Sequence, residues 1–238
     1  MAEIREVVMD GPGKNALGTK MMDFLLGELE AAAGAPVLLT GKGDAFSAGL
    51  NLKEIQTLDA AGMEAFLRKL ERLVSALYTY SGPTVAAVNG HAIAGGCILA
   101  LCCDLRVARA DMDIRIGLNE VALGLQFPPG ILRMLRERLP KERIHEALLG
   151  AQLLRPDAAG LLGYLDDLTD RELLGYARGR LEKLAAHPAD AYAATKRALN
   201  GESLLRPEDE VYFRSVMPAW TSPQFKERVA TALAPKRG

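Results

Sequence analysis

The sequence predicts an α/β fold, because short apolar strand segments alternate with amphipathic helical segments through the first half of the chain. Turn residues such as glycine and proline separate these segments. The predicted strands lie at residues 4–9, 37–39, 84–88, 105–108 and 113–116. Because strand, helix and strand follow one another, we expect mostly parallel pairing.

The elements follow from local patterns in chain order. The first strand ends at the turn 11–13, and the helix 19–33 begins at Thr19 as N-cap and ends at Gly34. After the strand 37–39 comes a loop with two glycines, and the long helix 63–77 carries apolar residues at helical spacing. The strand 84–88 follows, and the loop 89–96 leads into an apolar helix.

The second half of the chain is predicted to be almost wholly helical. Helical segments lie near residues 131–139, 141–150, 156–162, 170–186, 189–200, 207–216 and 223–233. Residue 165 is the only late strand candidate. We therefore predict a core over residues 1–180 and a helical region over residues 181–238.

Composition and charge exclude several classes of protein. Of 238 residues, 49% are hydrophobic and 25% are charged, and the net charge is -1, so a disordered chain is excluded. Nothing here builds a broad field for nucleic acid or an anionic membrane surface. The longest nearly apolar run, residues 92–103, is shorter than the roughly 20 residues of a membrane helix. We expect no nucleic-acid partner and no membrane association.

The three cysteines, Cys97, Cys102 and Cys103, lie in one apolar segment. This clustering favours buried thiols in a reducing compartment over disulfides or a metal site. The polar, acidic start of the chain lacks the features of a signal or transit peptide, so we expect a cytoplasmic protein.

Two glycine-containing turns that follow strands, at residues 45–53 and 88–97, are the strongest site candidates. Small residues let a ligand approach the backbone, and N–H groups at a helix start have no intrahelical partner. Two such turns facing each other would give one substrate oxygen two main-chain donors. The alternative is that Gly95 and Gly96 only allow close helix–sheet packing. His91 lies in the second turn, where a packed, hydrogen-bonded side chain is the simpler interpretation.

Taken together, the motifs resemble the crotonase superfamily, which contains enoyl-CoA hydratases and isomerases. The matching residues are Asn15-Ala16-Leu17, Phe46-Ser47-Ala48-Gly49, Ala86-Ala87-Val88-Asn89-Gly90, Gly95-Gly96-Cys97 and Cys103-Asp104. The resemblance implies a crotonase-like spiral of ββα turns followed by a helical trimerisation region, and a homotrimer or dimer of trimers. It also implies an acyl-CoA thioester substrate whose carbonyl lies between the N–H groups of Ala48 and Gly95. No cofactor is expected, since CoA is part of the substrate.

Two positions decide between reactions within this superfamily. Similar hydratases use two glutamates to add water, and here Ile98 stands at the position of one, whereas Glu120 matches the other. A lone carboxylate suits proton transfer from C2 to C4 of a 3-enoyl thioester. The segment 116–120 is most similar to mitochondrial-type Δ3,Δ2-enoyl-CoA isomerases, which implies a role in fatty acid degradation. A hydratase or other thioester reaction, and a non-catalytic CoA-binding or scaffold subunit, remain alternatives.

The resemblance also suggests residues for binding the substrate. Lys53, Lys14 and Lys226 are candidates for the CoA phosphates, with solvated surface charges as the alternative. Lys226 would reach the CoA of a neighbouring subunit. We expect Phe46, Ile98 and Phe127 to line the acyl pocket. The apolar residues of the last segment, from 211 to 229, are expected to cross between subunits, although they could pack on their own core.

Overall fold

The computed structural model describes residues 3–234, in which eight strands form two parallel sheets. The strands are β1 (Arg5–Met9), β2 (Val37–Gly41), β3 (Ala45–Ser47), β4 (Thr84–Ala87), β5 (His91–Ile93), β6 (Leu105–Arg109), β7 (Ile116–Gly117) and β8 (Asp167–Thr169). The helices are α1 (Pro12–Asn15), α2 (Thr19–Ala32), α3 (Leu52–Ile55), α4 (Ala60–Tyr78), α5 (Gly95–Cys102), α6 (Pro129–Arg138), α7 (Ile144–Leu149), α8 (Pro156–Leu161), α9 (Leu173–Ala185), α10 (Ala189–Asn200), α11 (Glu210–Trp220) and α12 (Pro223–Leu233). Two 3₁₀ turns lie at Val121–Leu123 and Pro207–Asp209.

The two sheets are built by successive turns of one spiral. The larger sheet has the order β1-β2-β4-β6-β8 and the smaller has the order β3-β5-β7, with every pairing parallel. Three times along the chain, one strand of the larger sheet is followed by one strand of the smaller sheet and then by a helical segment. These consecutive strands are β2 and β3, β4 and β5, and β6 and β7. The predicted α/β fold with ββα turns is therefore confirmed.

Burial explains why these segments take these structures. All five residues of β2 are buried, as expected for a strand covered on both faces. Helix α4 buries one apolar stripe, and the Asp59 side chain caps its start by accepting the Gly62 N–H at 2.8 Å. Most of the core is one apolar cluster between the sheets and helices.

Two strands of the smaller sheet were not predicted from local pattern. Residues 45–47 and 91–93 were predicted as loops, but they form β3 and β5. Each strand has only three residues, too few for a two-residue period to be detected. The late strand forms at Asp167–Thr169, two residues beyond the predicted position.

The last two helices pack on their own chain. Helix α11 contacts α4, and α12 contacts both α3 and the turn Val121–Leu123. Their main apolar side chains are buried in the chain's own core: Phe213, Val216, Met217, Trp220, Phe225 and Val229. These side chains therefore follow the alternative, packing on their own core, and a contact of this segment with a neighbouring subunit stays a prediction. Val211 is the exception, at 71% exposed.

The predicted domain boundary stays a prediction. Residue 180 lies inside α9, a helix that packs on β4 of the larger sheet. Residues 1–2 and 235–238, the outer ends of the two predicted regions, lie outside the described residues. Within residues 3–234, no helix is long and apolar enough to cross a membrane.

Candidate active site

Glu120 lies directly after the smaller sheet, where the chain leaves β7 and enters the turn Val121–Leu123. Its carbonyl oxygen accepts the N–H groups of Leu123 at 3.0 Å and Leu125 at 2.9 Å. Gly124, with a φ of 72°, ends the turn in a conformation that favours glycine. These contacts fix the backbone that carries the Glu120 side chain.

The Glu120 carboxyl group is buried in an apolar environment. The residue is 7% exposed, and its Oε2 atom has no hydrogen-bond partner among residues 3–234. Burial raises the pKa of Glu120 from its ordinary value of 4.5 to about 8, while a backbone N–H lowers the pKa slightly. A carboxyl group with a pKa near neutrality can both take up and release a proton at physiological pH.

The start of α5 lies beside the segment that carries Glu120. The Ala94 N–H donates to the Gly117 carbonyl at 2.8 Å, which ties the helix start to the end of β7. Cys97 is buried in the first turn of α5, near Glu120. Burial is the main cause that raises the pKa of the Cys97 thiol, and the Glu120 carboxylate raises it further. Because Gly95 is the first residue of the helix, its N–H has no intrahelical acceptor, and no other acceptor lies within the described chain.

A second uncommitted donor is the Leu50 N–H, in the segment that lies against the start of α5. Leu17 forms a parallel bridge with Leu50, in which the Leu17 N–H donates to Gly49 at 2.7 Å and the Asn51 N–H donates to Leu17 at 3.0 Å. In a parallel bridge, the N–H groups of one segment alternate between the partner and the opposite side. The Leu50 N–H is therefore directed away from Leu17, and it has no acceptor within residues 3–234.

Glycine brings the two donors close together. A Cβ atom added to Gly95 would lie 3.6 Å from the Gly49 Cα and 3.3 Å from a Leu50 methyl carbon. A Cβ atom added to Gly96 would lie only 2.2 Å from the Ser47 carbonyl oxygen. The two glycine-containing turns therefore face each other, as the sequence predicted. The packing role of Gly96 is also real, since any side chain there would displace β3.

The predicted first donor, Ala48, is wrong. Its N–H donates to the Lys14 carbonyl at 3.0 Å, so it is not available to a substrate oxygen. The chain at Gly13, Lys14 and Asn15 has positive φ values of 67°, 60° and 58°, and this left-handed turn places the Lys14 carbonyl against β3. The N–H without an acceptor is that of Leu50, two residues further on, and it is recognised from the bridge between Leu17 and Leu50.

The predicted apolar pocket residues all lie in the main core. Phe46 is fully buried, Ile98 is 3% exposed, and Phe127 is half-buried against the same cluster. Ile98 lies one turn after Gly95, so no carboxylate stands at that position in α5. A separate cavity of about 890 Å³ lies between β1, α2 and α3, and neither Glu120 nor Gly95 lines it.

The three predicted phosphate-binding lysines have different surroundings. Lys53 is exposed on α3, three residues after Leu50. Lys14 forms an exposed ion pair with Asp44 at 2.8 Å. Lys226 is exposed on α12, which contacts α3 of its own chain, and its reach to the CoA of a neighbouring subunit stays a prediction.

His91, Arg115 and the three cysteines make structural contacts or are buried. His91 accepts the Arg115 N–H through Nδ1 at 3.0 Å, and Arg115 pairs with Asp113 at 2.8 Å. All three cysteines are buried, and burial raises the pKa of each thiol. Across residues 3–234 no group of three or more His, Cys, Asp or Glu side chains could hold a metal ion.

Comparison with known proteins agrees with this geometry. Residues 1–227 match the model of the enoyl-CoA hydratase/isomerase family. A putative enoyl-CoA hydratase of Thermus thermophilus is 34% identical over 220 residues, which cover 89% of this chain and 85% of that protein. The mouse mitochondrial enoyl-CoA delta isomerase 1 is 33% identical over 155 residues, which cover 65% of this chain and 54% of that protein.

A solved structure extends the likeness to the whole fold. Human mitochondrial delta3-delta2-enoyl-CoA isomerase superimposes with a TM-score of 0.88 at 25% identity, covering 96% of this chain and 93% of that chain. The ββα spiral, the facing turns and these matches lead to one conclusion. The chain belongs to the enoyl-CoA hydratase/isomerase family of the crotonase superfamily.

Proposed function

We propose that the protein is an acyl-CoA double-bond isomerase that converts 3-enoyl-CoA to 2-enoyl-CoA. The observation that carries this proposal is the buried carboxyl group of Glu120, whose Oε2 has no hydrogen-bond partner among residues 3–234, beside a helix that offers Ile98 instead of a second carboxylate. Glu54 cannot replace the missing partner, because it accepts the N–H and the hydroxyl of Thr19 at the start of α2.

The reaction requires one base and one oxyanion site. Glu120 takes a proton from C2 of the thioester, and the electron pair of the broken C–H bond delocalises into a dienolate. The N–H groups of Leu50 and Gly95 stabilise the negative charge on the thioester oxygen. Glu120 then returns its proton to C4, so one proton moves and no oxidation state changes. This chemistry calls for no cofactor.

Binding of CoA requires cations beside the oxyanion segment. Lys53, exposed and near Leu50, is the best placed of the predicted lysines for a CoA phosphate. Lys14 would first have to break its ion pair with Asp44, which is exposed and therefore contributes little stability.

The proposal is tested with purified protein and a 3-enoyl-CoA. We expect the conjugated 2-enoyl thioester to form, measured by its ultraviolet absorbance and by chromatography. Tight CoA binding without turnover would instead favour the scaffold alternative.

The rate should depend on pH through Glu120. The base acts only when ionised, and burial places the pKa of Glu120 at about 8 in the protein without substrate. We expect kcat/KM to increase about tenfold from pH 6 to pH 7 and to level off above pH 8. A kcat/KM that is flat from pH 6 to pH 9 would contradict the assignment of Glu120 as base.

A hydratase is the second candidate, because the Thermus thermophilus relative is named a putative enoyl-CoA hydratase. If Ile98 decides between the reactions, Ile98→Glu should produce weak hydration of 2-enoyl-CoA, measured as 3-hydroxyacyl-CoA. Ile98→Gln is the control, since it adds a side chain of the same length without a carboxylate. An Ile98→Glu protein that folds and binds substrate but hydrates nothing would show that Ile98 is not the deciding difference.

We propose a homotrimer or a dimer of trimers as the working unit. Since the C-terminal apolar side chains are covered by their own chain, other residues must form the contacts. The exposed leucines Leu149, Leu161 and Leu199, at 66%, 75% and 74% exposed, are candidates. Sedimentation velocity should give a trimer or hexamer, and an active monomer at high dilution would contradict this proposal.

A further inference from the structure

Asn119, the residue directly before Glu120, takes no part in the proton transfer proposed for Glu120. It lies between β7 and the turn Val121–Leu123, and its carbonyl oxygen accepts the Leu123 N–H at 3.3 Å. This contact fixes the backbone at Asn119, just as the contacts of the Glu120 carbonyl fix the next residue. The Asn119 side chain itself is half-buried, at the edge of the protein interior.

The Asn119 side chain holds a second buried oxygen that lacks a hydrogen-bond donor. Asn119 Oδ1 and Glu120 Oε2 are both buried, and neither has a partner among residues 3–234. Buried polar atoms in folded proteins nearly always have a partner, so two such atoms on consecutive residues call for an explanation. While Glu120 is ionised, both atoms are acceptors and cannot hydrogen-bond to each other. One hydrogen atom supplied between them would satisfy both.

Within the described part of the chain, the other polar groups near Glu120 do not supply this hydrogen atom. The titratable groups are the Cys97 thiol on α5 and the Tyr164 hydroxyl, and burial raises the pKa of both, so both stay neutral at physiological pH. The Tyr164 hydroxyl donates to a carbonyl of α7 at 2.8 Å, and a thiol is only a weak donor. The charged Arg228 side chain of α12 lies against Gly124, at the end of the turn.

We propose that Asn119 is a positioning residue whose Oδ1 atom accepts a hydrogen bond from the Glu120 carboxyl group once that group carries the proton taken from C2. The C–H bond at C2 breaks, its electron pair enters the dienolate, and the proton forms an O–H bond at Glu120 Oε2. That O–H group donates to Asn119 until the proton is returned to C4. This inference rests on the proposed isomerase function and adds a residue that stabilises the proton-carrying state of the base.

The proposal fixes the direction in which substitutions at Asn119 change the pKa of Glu120. A hydrogen bond to the neutral carboxyl group favours protonation, so removing the acceptor should lower the pKa. Asn119→Leu keeps the approximate size of the side chain but has no acceptor. Asn119→Asp keeps an acceptor oxygen, and its negative charge further disfavours ionisation of Glu120. The two substitutions should therefore move the pKa of Glu120 in opposite directions.

The first measurement needs no substrate. Infrared spectroscopy detects the C=O stretch of a protonated carboxyl group, and the band of Glu120 is assigned by its absence from Glu120→Gln. Titration of this band should give a pKa of about 8 for Glu120 in the wild-type protein. We expect a midpoint about one pH unit lower in Asn119→Leu, equivalent to about tenfold in the ionisation constant, and a midpoint above wild type in Asn119→Asp.

The matched control for these variants is Asn200→Leu. It also removes a side-chain amide, one whose Nδ2 donates to the Tyr78 carbonyl at 2.8 Å and so joins α10 to the end of α4. Loss of this structural hydrogen bond should lower thermal stability while the Glu120 midpoint stays at its wild-type value. The control therefore separates a general loss of stability from a specific effect on Glu120.

The second measurement is the pH dependence of turnover with 3-enoyl-CoA. The increase of kcat/KM with pH should occur about one pH unit lower in Asn119→Leu, because the base ionises more readily. The plateau value of kcat should fall by about threefold to tenfold, since the proton-carrying state loses one hydrogen bond. KM should change less than kcat, because Asn119 acts through Glu120 and not on the substrate. Asn119→Asp, which keeps an acceptor, should retain more of kcat than Asn119→Leu.

Equal midpoints in wild type, Asn119→Leu and Asn119→Asp would overturn the role of Asn119, and so would a higher midpoint in Asn119→Leu. If Asn119→Leu does not fold, Asn119→Ala gives the same readout, because it also lacks the acceptor. Failure of the wild-type protein to convert 3-enoyl-CoA would overturn the proposed function. In that case the infrared midpoints still decide whether Asn119 accepts a hydrogen bond from Glu120.

Discussion

Glu120→Gln should lower the turnover of 3-enoyl-CoA by about 10²-fold or more while acyl-CoA binding persists. The amide keeps the shape of the side chain but cannot take a proton from C2. Within the described chain, Glu120 is the carboxylate that lies beside the two uncommitted backbone donors. Steady-state kinetics measure the loss, and titration with a saturated acyl-CoA measures the binding.

Two controls separate chemistry from folding in this experiment. Glu208→Gln changes an exposed carboxylate whose ion pair, among residues 3–234, is a 3.9 Å contact with Arg206, and it should leave turnover unchanged. Burial raises the pKa of Glu120 above 4.5, so its contribution to stability is present below pH 4.5 and lost as the pH rises through about 8. The Glu120→Gln protein should therefore become more stable relative to wild type between pH 5 and pH 8. Turnover near the wild-type rate in a folded variant would contradict the role of Glu120.

Removal of the Gly95 N–H should cause the second largest loss of activity. Gly95→Pro deletes this donor at the first position of α5, where proline is tolerated in helices. We expect kcat to fall by about 10²-fold to 10³-fold, as when one oxyanion donor is removed from an enzyme. The measurement is kcat with 3-enoyl-CoA, alongside circular dichroism to confirm the fold.

The matched control for this variant is Gly95→Ala. Alanine introduces a Cβ atom, 3.1 Å from a Leu17 methyl carbon and 3.3 Å from a Leu50 methyl carbon, but it keeps the N–H group. These neighbours are the ends of flexible side chains, so Gly95→Ala should lose far less activity than Gly95→Pro. Equal activity in the two folded variants would show that the Gly95 N–H does not stabilise the oxyanion.

The helices and the buried strands of the larger sheet were predictable because their apolar patterns extend over enough residues to be detected. The pattern from Met63 to Leu77 predicted the centre of α4, and the segments at 189–200 and 223–233 match α10 and α12. The three-residue strands β3 and β5 were missed, since their pairing depends on distant segments. Periodicity also predicts that the inner face of α12 is buried, but not that its own chain buries it.

The candidate site was predictable in part for similar reasons. The sequence predicts roles for Glu120 and Gly95 because those residues lie in recognisable motifs, and the structure confirms only that the two turns face each other. The sequence assigned the first donor to Ala48, since nothing in the local sequence shows which N–H a distant carbonyl will occupy. The structure corrects this assignment through two contacts, from Ala48 to Lys14 and between Leu17 and Leu50.

In the proposed mechanism, a single carboxylate moves a proton without adding water. This mechanism is tested most directly by incubating the protein with 2-enoyl-CoA and with 3-enoyl-CoA in ¹⁸O-labelled water and analysing the products by mass spectrometry. We expect 2-enoyl-CoA from the 3-enoyl substrate, with no ¹⁸O-labelled 3-hydroxyacyl-CoA from either substrate. Labelled 3-hydroxyacyl-CoA formed as fast as the double bond moves would contradict it.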